Sequence, residues 1–169
     1  MDYHELLKQV PSRKRKVTLK TSKQKGVGIY ALRTIEKGET IAYYRMKVFN
    51  LKEYDSPTNF VYAFEIYKKN GQEYKRLIGD LFEGSFPQPG KDGITFWAPF
   101  VNEPTIHQKS NADIDIASRY NYDEKNKTST QAGDIVDYKL VATRTIRPKE
   151  EILWYYGDQY SRNYEAGKR

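Results

Sequence analysis

Apolar and polar positions alternate over short stretches through most of the chain, and almost nowhere do they recur at helical spacing. Val17-Thr18-Leu19 alternates, Gly28-Ile29-Tyr30-Ala31 follows a glycine turn, and Thr40-Ile41-Ala42-Tyr43-Tyr44 follows the turn Glu36-Lys37-Gly38. Phe60 to Lys68 mixes aromatic and β-branched residues in rough alternation, and Tyr74 to Ile78 returns after Asn70-Gly71. Both turn residues tolerate positive φ, so this pattern predicts a hairpin. Residues 83–93 are rich in Gly and Pro and read as a loop. Thr95 to Val101 is apolar, and Ala112 to Tyr120 alternates again. Tyr122 to Gly133 is polar and reads as a flexible loop. Ile135 to Ile146 predicts a strand pair or a bent strand, and Glu151 to Tyr156 is a last apolar run. Helix is confined to residues 2–9, too few to be stable alone, and to a tail from Asp158 that reads as helical or disordered. The fold class is mainly β, with many short strands and little helix.

A length of 169 residues suits one domain. No apolar run approaches the ~18 residues of a bilayer span, and residues 1–25 lack the apolar centre of a signal peptide. With no cysteine, disulfides and thiolate zinc sites are excluded, and His4 and His107 alone make no structural zinc site, so no metal is expected.

Charge changes the picture at one end. The first 25 residues carry eight Lys/Arg against two acids, whereas the other 144 are nearly balanced. The centre of this basic arm is Arg13-Lys14-Arg15-Lys16. Such a run serves nuclear localisation, makes weak, salt-sensitive nucleic-acid contacts through residues 13–25, or is a solvated leader.

Common catalytic sets are missing. The chain has no phosphate loop, no His-Glu-x-x-His and no cysteine nucleophile, and two histidines in unrelated segments make no triad. Asp113 and Asp115 share a strand face, which suits a solvated edge better than a metal. Three segments say more. Lys25-Gly26-Val27-Gly28-Ile29-Tyr30-Ala31 holds a Gly-x-Gly turn, where a missing Cβ lets backbone approach a ligand. Phe100-Val101-Asn102-Glu103-Pro104 precedes Ser110-Asn111-Ala112-Asp113-Ile114, and Glu150-Glu151-Ile152-Leu153-Trp154-Tyr155-Tyr156-Gly157-Asp158 closes the series.

In order and spacing, these segments resemble the SET domain of protein-lysine methyltransferases over about Val17 to Tyr160, and the closing segment is similar to that of PR-type SET domains. The resemblance implies a SET fold of short curled sheets with a pseudoknot-like active site. It divides the chain into a basic N-terminal arm at 1–16, a SET domain at 17–160 and a tail at 161–169. It also implies transfer of a methyl group from the cofactor S-adenosylmethionine to a lysine of a protein partner, a histone tail being the expected substrate. By the match, Gly26, Val27, Gly28, Asn102 and Glu103 are cofactor-binding, and Tyr156 and Tyr62 are catalytic. Trp154, where the family carries Phe or Tyr, and Tyr160 line the substrate channel. Glu103 stands where the motif has His, the main departure. Relatives close the channel with a cysteine-bound zinc cluster, which this chain lacks, so Tyr160 and Tyr164 are expected to supply that wall. The expected setting is nucleus or cytoplasm, the host nucleus if the source is viral. The alternatives are a catalytically silent SET module that binds protein, which Glu103 and Trp154 favour, and a nucleic-acid-binding protein led by its arm.

Overall fold

The computed structural model describes residues 2–70, 73–115, 122–123, 127–128, 130–158 and 160–169. The residues group into two compact units, Met1–Tyr43 with Gln88–Ile114 and Lys139–Arg169, and Tyr44–Pro87 with Asp115–Tyr138.

The first unit opens with helix α1, Tyr3–Gln9. Asp2 caps it by accepting from the His4 N–H at 3.0 Å. Seven residues do not make a stable helix alone, and burial of Leu6 and Val10 supplies the missing stability. The basic run is partly absorbed by the fold. Arg15 donates to the Val10 and Val17 carbonyls and lies over the Trp97 ring, and burial lowers its pKa. Lys16 donates to the Thr40 carbonyl and to Glu39. Arg13 and Lys14 stay exposed.

Strands β1 (Val17–Ser22) and β2 (Gly26–Ala31) pair antiparallel from Val17↔Ala31 to Ser22↔Gly26. Strand β3 spans Thr40–Asn50 and β9 spans Ile135–Ala142, and each passes from one unit into the other along the chain. In the first unit β9 lies between β3 and β6, Ala112–Asp115. Two similar turns meet where Ile35 and Ile146 exchange main-chain hydrogen bonds. The residue with positive φ is Gly38 in one turn and Lys149 in the other.

In the second unit β4 (Phe64–Asn70) and β5 (Glu73–Asp80) form the expected hairpin, with β5 also paired to β3. Asn70 pairs with Glu73, so the two connecting residues are 71–72, outside the described residues. The first hairpin strand begins at Phe64 and not at Phe60, because Asn59 and Phe60 take left-handed backbone at φ 54° and 63°. Fully buried Asp80 organises the turns ahead of it, accepting from the Ser56 and Tyr54 hydroxyls at 2.7 and 3.1 Å. In the stretch expected to be a polar loop, Tyr122–Asp123 (β7) and Lys127–Thr128 (β8) pair as a short ladder. The second half of the predicted Ala112–Tyr120 strand lies outside the described residues.

The apolar run Thr95 to Val101 ends in a 3-10 turn at Ala98–Phe100. Ile135 to Ile146 takes the bent-strand alternative, a strand to Ala142, a bend, and a bridge at Ile146. The described tail contains no helix: Ala166 bridges Thr105, and the Gly167 N–H donates to the Pro104 carbonyl. A Cβ on Gly167 would fall 2.0 Å from the Gln108 carbonyl oxygen and 2.3 Å from that of Thr105. Glycine is what lets the tail lie this close. No helix among the described residues is long and apolar enough to cross a membrane.

Candidate active site

The site residues of the first unit converge on the closing segment. Leu153 bridges Asn102 and Trp154 bridges Ala112, both in parallel. The Trp154 N–H donates to the Asn102 carbonyl, the Asn111 and Ala112 N–H groups donate to the Leu153 carbonyl, and Asn111 Oδ1 accepts from the Leu153 N–H at 2.7 Å. The closing segment therefore passes between the two ends of the 102–112 connection, which is the pseudoknot-like arrangement expected.

One side of this crossing is a cradle. Gly26, at φ 72°, closes the turn into β2, and a Cβ there would meet nothing within 4 Å. Gly28 is needed for a different reason: a Cβ would fall 2.6 Å from Glu151 Oε2 and 2.7 Å from Asn102 Nδ2. Asn102 Nδ2 donates to the Val27 carbonyl at 3.1 Å and to Glu151 Oε2 at 3.0 Å. Both amide hydrogens are thus committed, and Oδ1 is left as the acceptor. Lys25 Nζ stands 3.6 Å from Glu151 Oε1 and donates to Gln108. Burial, followed by the negative charge of Glu151, raises the pKa of neighbouring Tyr30.

The other side is aromatic. The Tyr156 hydroxyl donates to the Val101 carbonyl at 2.5 Å. The Trp154 and Tyr160 rings both meet the Tyr156 ring edge-on, at 5.1 and 4.8 Å. Trp154 Nε1–H donates to Asp113 Oδ1 at 3.1 Å, which fixes the indole and gives Asp113 a role other than a solvated edge. No cluster of three or more metal-ligating side chains occurs among the described residues.

Glu103, where the motif has His, directs its carboxylate elsewhere. Its side chain is 1 % exposed and faces the tail. Oε1 accepts from Arg162 Nε at 2.9 Å and from the Tyr164 hydroxyl at 2.8 Å, and Oε2 accepts from Arg162 Nη2 at 2.9 Å and from the Tyr156 N–H at 2.8 Å. Burial opposes the Arg162 charge, but the hydrogen bond and attraction of Glu103 outweigh it and raise its pKa. Tyr164 is pushed up to about 12 by burial and then by its bond to Glu103. A cavity of about 380 Å³ borders this cluster, lined by Ile106, Tyr155, Asp158, Arg162, Tyr164, Glu165, Ala166 and Lys168.

Gly26, Val27, Gly28, Asn102, Glu103, Trp154, Tyr156 and Tyr160 thus all lie in one unit. Tyr62 belongs to the other, 39 % exposed, and its carbonyl accepts from the Tyr44 hydroxyl at 2.7 Å. Glu151, Lys25 and Arg162 escape the sequence reading as site residues. For Glu151 the signal was present, since it sits inside the closing motif. Arg162 carries none: a lone arginine in a polar tail acquires meaning only beside a buried carboxylate.

A family model described as the SET domain matches residues 26–157. No curated protein sequence matches the chain significantly. Among solved structures, the chain is similar to ATXR5 in complex with histone H3.1 mono-methylated on R26, at 18% identity and a TM-score of 0.53, over 89% of this chain. It spans only 60% of that ATXR5 chain. A candidate histone methyltransferase of Plasmodium falciparum is 21% identical over 86% of this chain and 96% of its own, with a TM-score of 0.49. The methyltransferase domain of human PR domain-containing protein 2 is 14% identical over 95% and 87%, also with a TM-score of 0.49.

Proposed function

The chain belongs to the SET-domain family, and on that premise we propose that it is an S-adenosylmethionine-dependent protein-lysine N-methyltransferase acting on histone tails. One observation carries the reading: the crossing that buries the closing segment also sets a glycine-floored cradle and an aromatic cluster around Tyr156 on that same segment.

The residues present fit the cofactor. The missing Cβ of Gly28 leaves room for Glu151 Oε2 and Asn102 Nδ2 against the main chain of β2. Asn102 Oδ1 offers an acceptor for an ammonium, and Lys25 brings a cation suited to a carboxylate. When bound, S-adenosylmethionine supplies an electrophilic methyl group on a sulfonium sulfur. The chain's own task is then to position a neutral amine in line, since displacement depends on alignment. A lysine ammonium, with a pKa near ~10.4, must first lose a proton. The rings of Trp154, Tyr156 and Tyr160 disfavour the charged form by desolvation. Tyr156, its hydroxyl donating a hydrogen bond to the Val101 carbonyl, presents its oxygen as an acceptor able to orient an amine N–H.

The histone assignment is supported by the histone H3.1 complex of ATXR5. A silent protein-binding module is the second reading, favoured by Glu103, whose carboxylate faces the tail instead of the cradle. Calorimetry with S-adenosylmethionine, followed by transfer of labelled methyl to a panel of core histones, separates the two. We expect cofactor binding that weakens in Asn102→Ala, and labelling of one histone. Failure to bind the cofactor would favour the silent module, and binding without histone labelling would overturn the histone assignment.

A further inference from the structure

We propose that Glu103 and Arg162 are positioning residues of this site, a metal-free clasp that holds the main chain of Tyr156-Gly157 and the ring of Tyr160 in register with the Tyr156 phenol. The inference rests on the methyltransferase reading above.

Four donors meet one buried carboxylate. Two come from Arg162, one is the Tyr164 hydroxyl, and the fourth is the Tyr156 N–H itself. Arg162 then turns back on the same segment: its Nη2 also donates to the Gly157 carbonyl at 2.9 Å. The backbone on both sides of the Tyr156-Gly157 peptide is therefore tied to one ion pair. The Arg162 guanidinium also lies over the rings of Tyr155 and Tyr160, 5.2 and 5.4 Å from their centroids. Tyr160 in turn meets Tyr156 edge-on. A planar, forked cation on two rings restrains both position and angle, which a lysine ammonium does not.

This geometry is poorly explained as a stabilising device alone. A buried ion pair contributes little net stability over apolar groups of similar volume, because both charges are desolvated. What it supplies is a single arrangement, since any shift of the tail leaves a buried charge without donors. The segment needs such a device, because Gly157 sits at φ 103° and leaves the turn after Tyr156 without a side chain to pack.

The test uses the full chain with Arg162→Lys, which keeps the charge and removes the fork, and Tyr164→Phe, which removes one donor and leaves the fork. Hydrogen exchange over residues 154–164 and steady-state methyl transfer are measured on each, well below the melting temperature. We expect faster exchange at Tyr156 in Arg162→Lys, a kcat lowered about a hundredfold by misplacement, and a cofactor Kd within threefold of the unsubstituted protein. Tyr164→Phe should fall between. Because positioning acts through Tyr156, adding Arg162→Lys to Tyr156→Phe should cost little more, whereas independent losses would multiply. Equal kcat in Arg162→Lys and the unsubstituted protein, or multiplying losses, overturns the proposal. If the unsubstituted protein transfers no methyl while Arg162→Lys still loosens residue 156, the enzyme reading fails, and the clasp is reduced to a fastening of the tail.

Discussion

The cradle and the clasp flank the same closing segment and are built on opposite principles. The cradle works by omission: Gly28 leaves out a Cβ so that Glu151 and Asn102 can stand where it would be. The clasp works by saturation, with four donors on one carboxylate. A site made by omission is damaged by adding atoms, and one made by saturation is damaged by removing a partner. The contrast also separates two kinds of information. Omission leaves glycines at fixed spacing in the sequence, whereas saturation draws on residues 59 positions apart whose meaning is set only by folding.

The largest expected effect is on the clasp. Glu103→Ala strands a nearly buried guanidinium and should lower stability by about 3–5 kcal/mol in urea titration. A loss below about 1 kcal/mol would mean that Arg162 finds water instead. Next come the glycines. Gly167→Ala drives a methyl into two backbone carbonyls and should cost about 1–3 kcal/mol or more. Gly28→Ala meets side-chain ends instead, so its stability loss should be the smaller of the two, with S-adenosylmethionine binding lost in calorimetry. Equal stability losses would show that Glu151 and Asn102 are as immovable as backbone. Trp154→Phe keeps a smaller aromatic ring and loses the indole N–H bonded to Asp113, a lost hydrogen bond of about 1 kcal/mol.

The smallest effect is a titration. Tyr164 should ionise near 12 instead of 10, read from the phenolate absorbance, and Glu103→Gln should bring it down. Because the folded pKa is raised, its contribution to stability is fully present below about pH 10 and lost as pH rises through about 12. An ordinary titration for Tyr164 would show that its hydroxyl does not hold Glu103 in solution.

Much of the fold was legible because it follows from local pattern. Alternation and Asn70-Gly71 located the β4–β5 hairpin, though not its start, which left-handed backbone at Asn59 and Phe60 delays. The Gly-x-Gly turn and the Asn102 and Tyr156 segments were read from spacing and resemblance, and the fold brings them together. The tail was not legible. Its order comes from Gly167 against distant carbonyls and from Arg162 on Glu103, neither of which has periodicity. Glu103 was visible from its position in the motif, but the partners of its carboxylate, Arg162 and Tyr164, were not. The basic run was read as a unit, serving localisation, weak nucleic-acid contact or only a solvated leader, whereas Arg15 and Lys16 find carbonyls of their own unit.

The most direct measurement is mass spectrometry of core histones incubated with the protein and S-adenosylmethionine, with Tyr156→Phe in parallel. We expect a mass increase of one or more methyl groups, located by fragmentation on a lysine side chain and greatly reduced in Tyr156→Phe. Unmodified histone lysines despite demonstrated cofactor binding, or equal methylation by Tyr156→Phe, would contradict a histone-lysine methyltransferase centred on Tyr156.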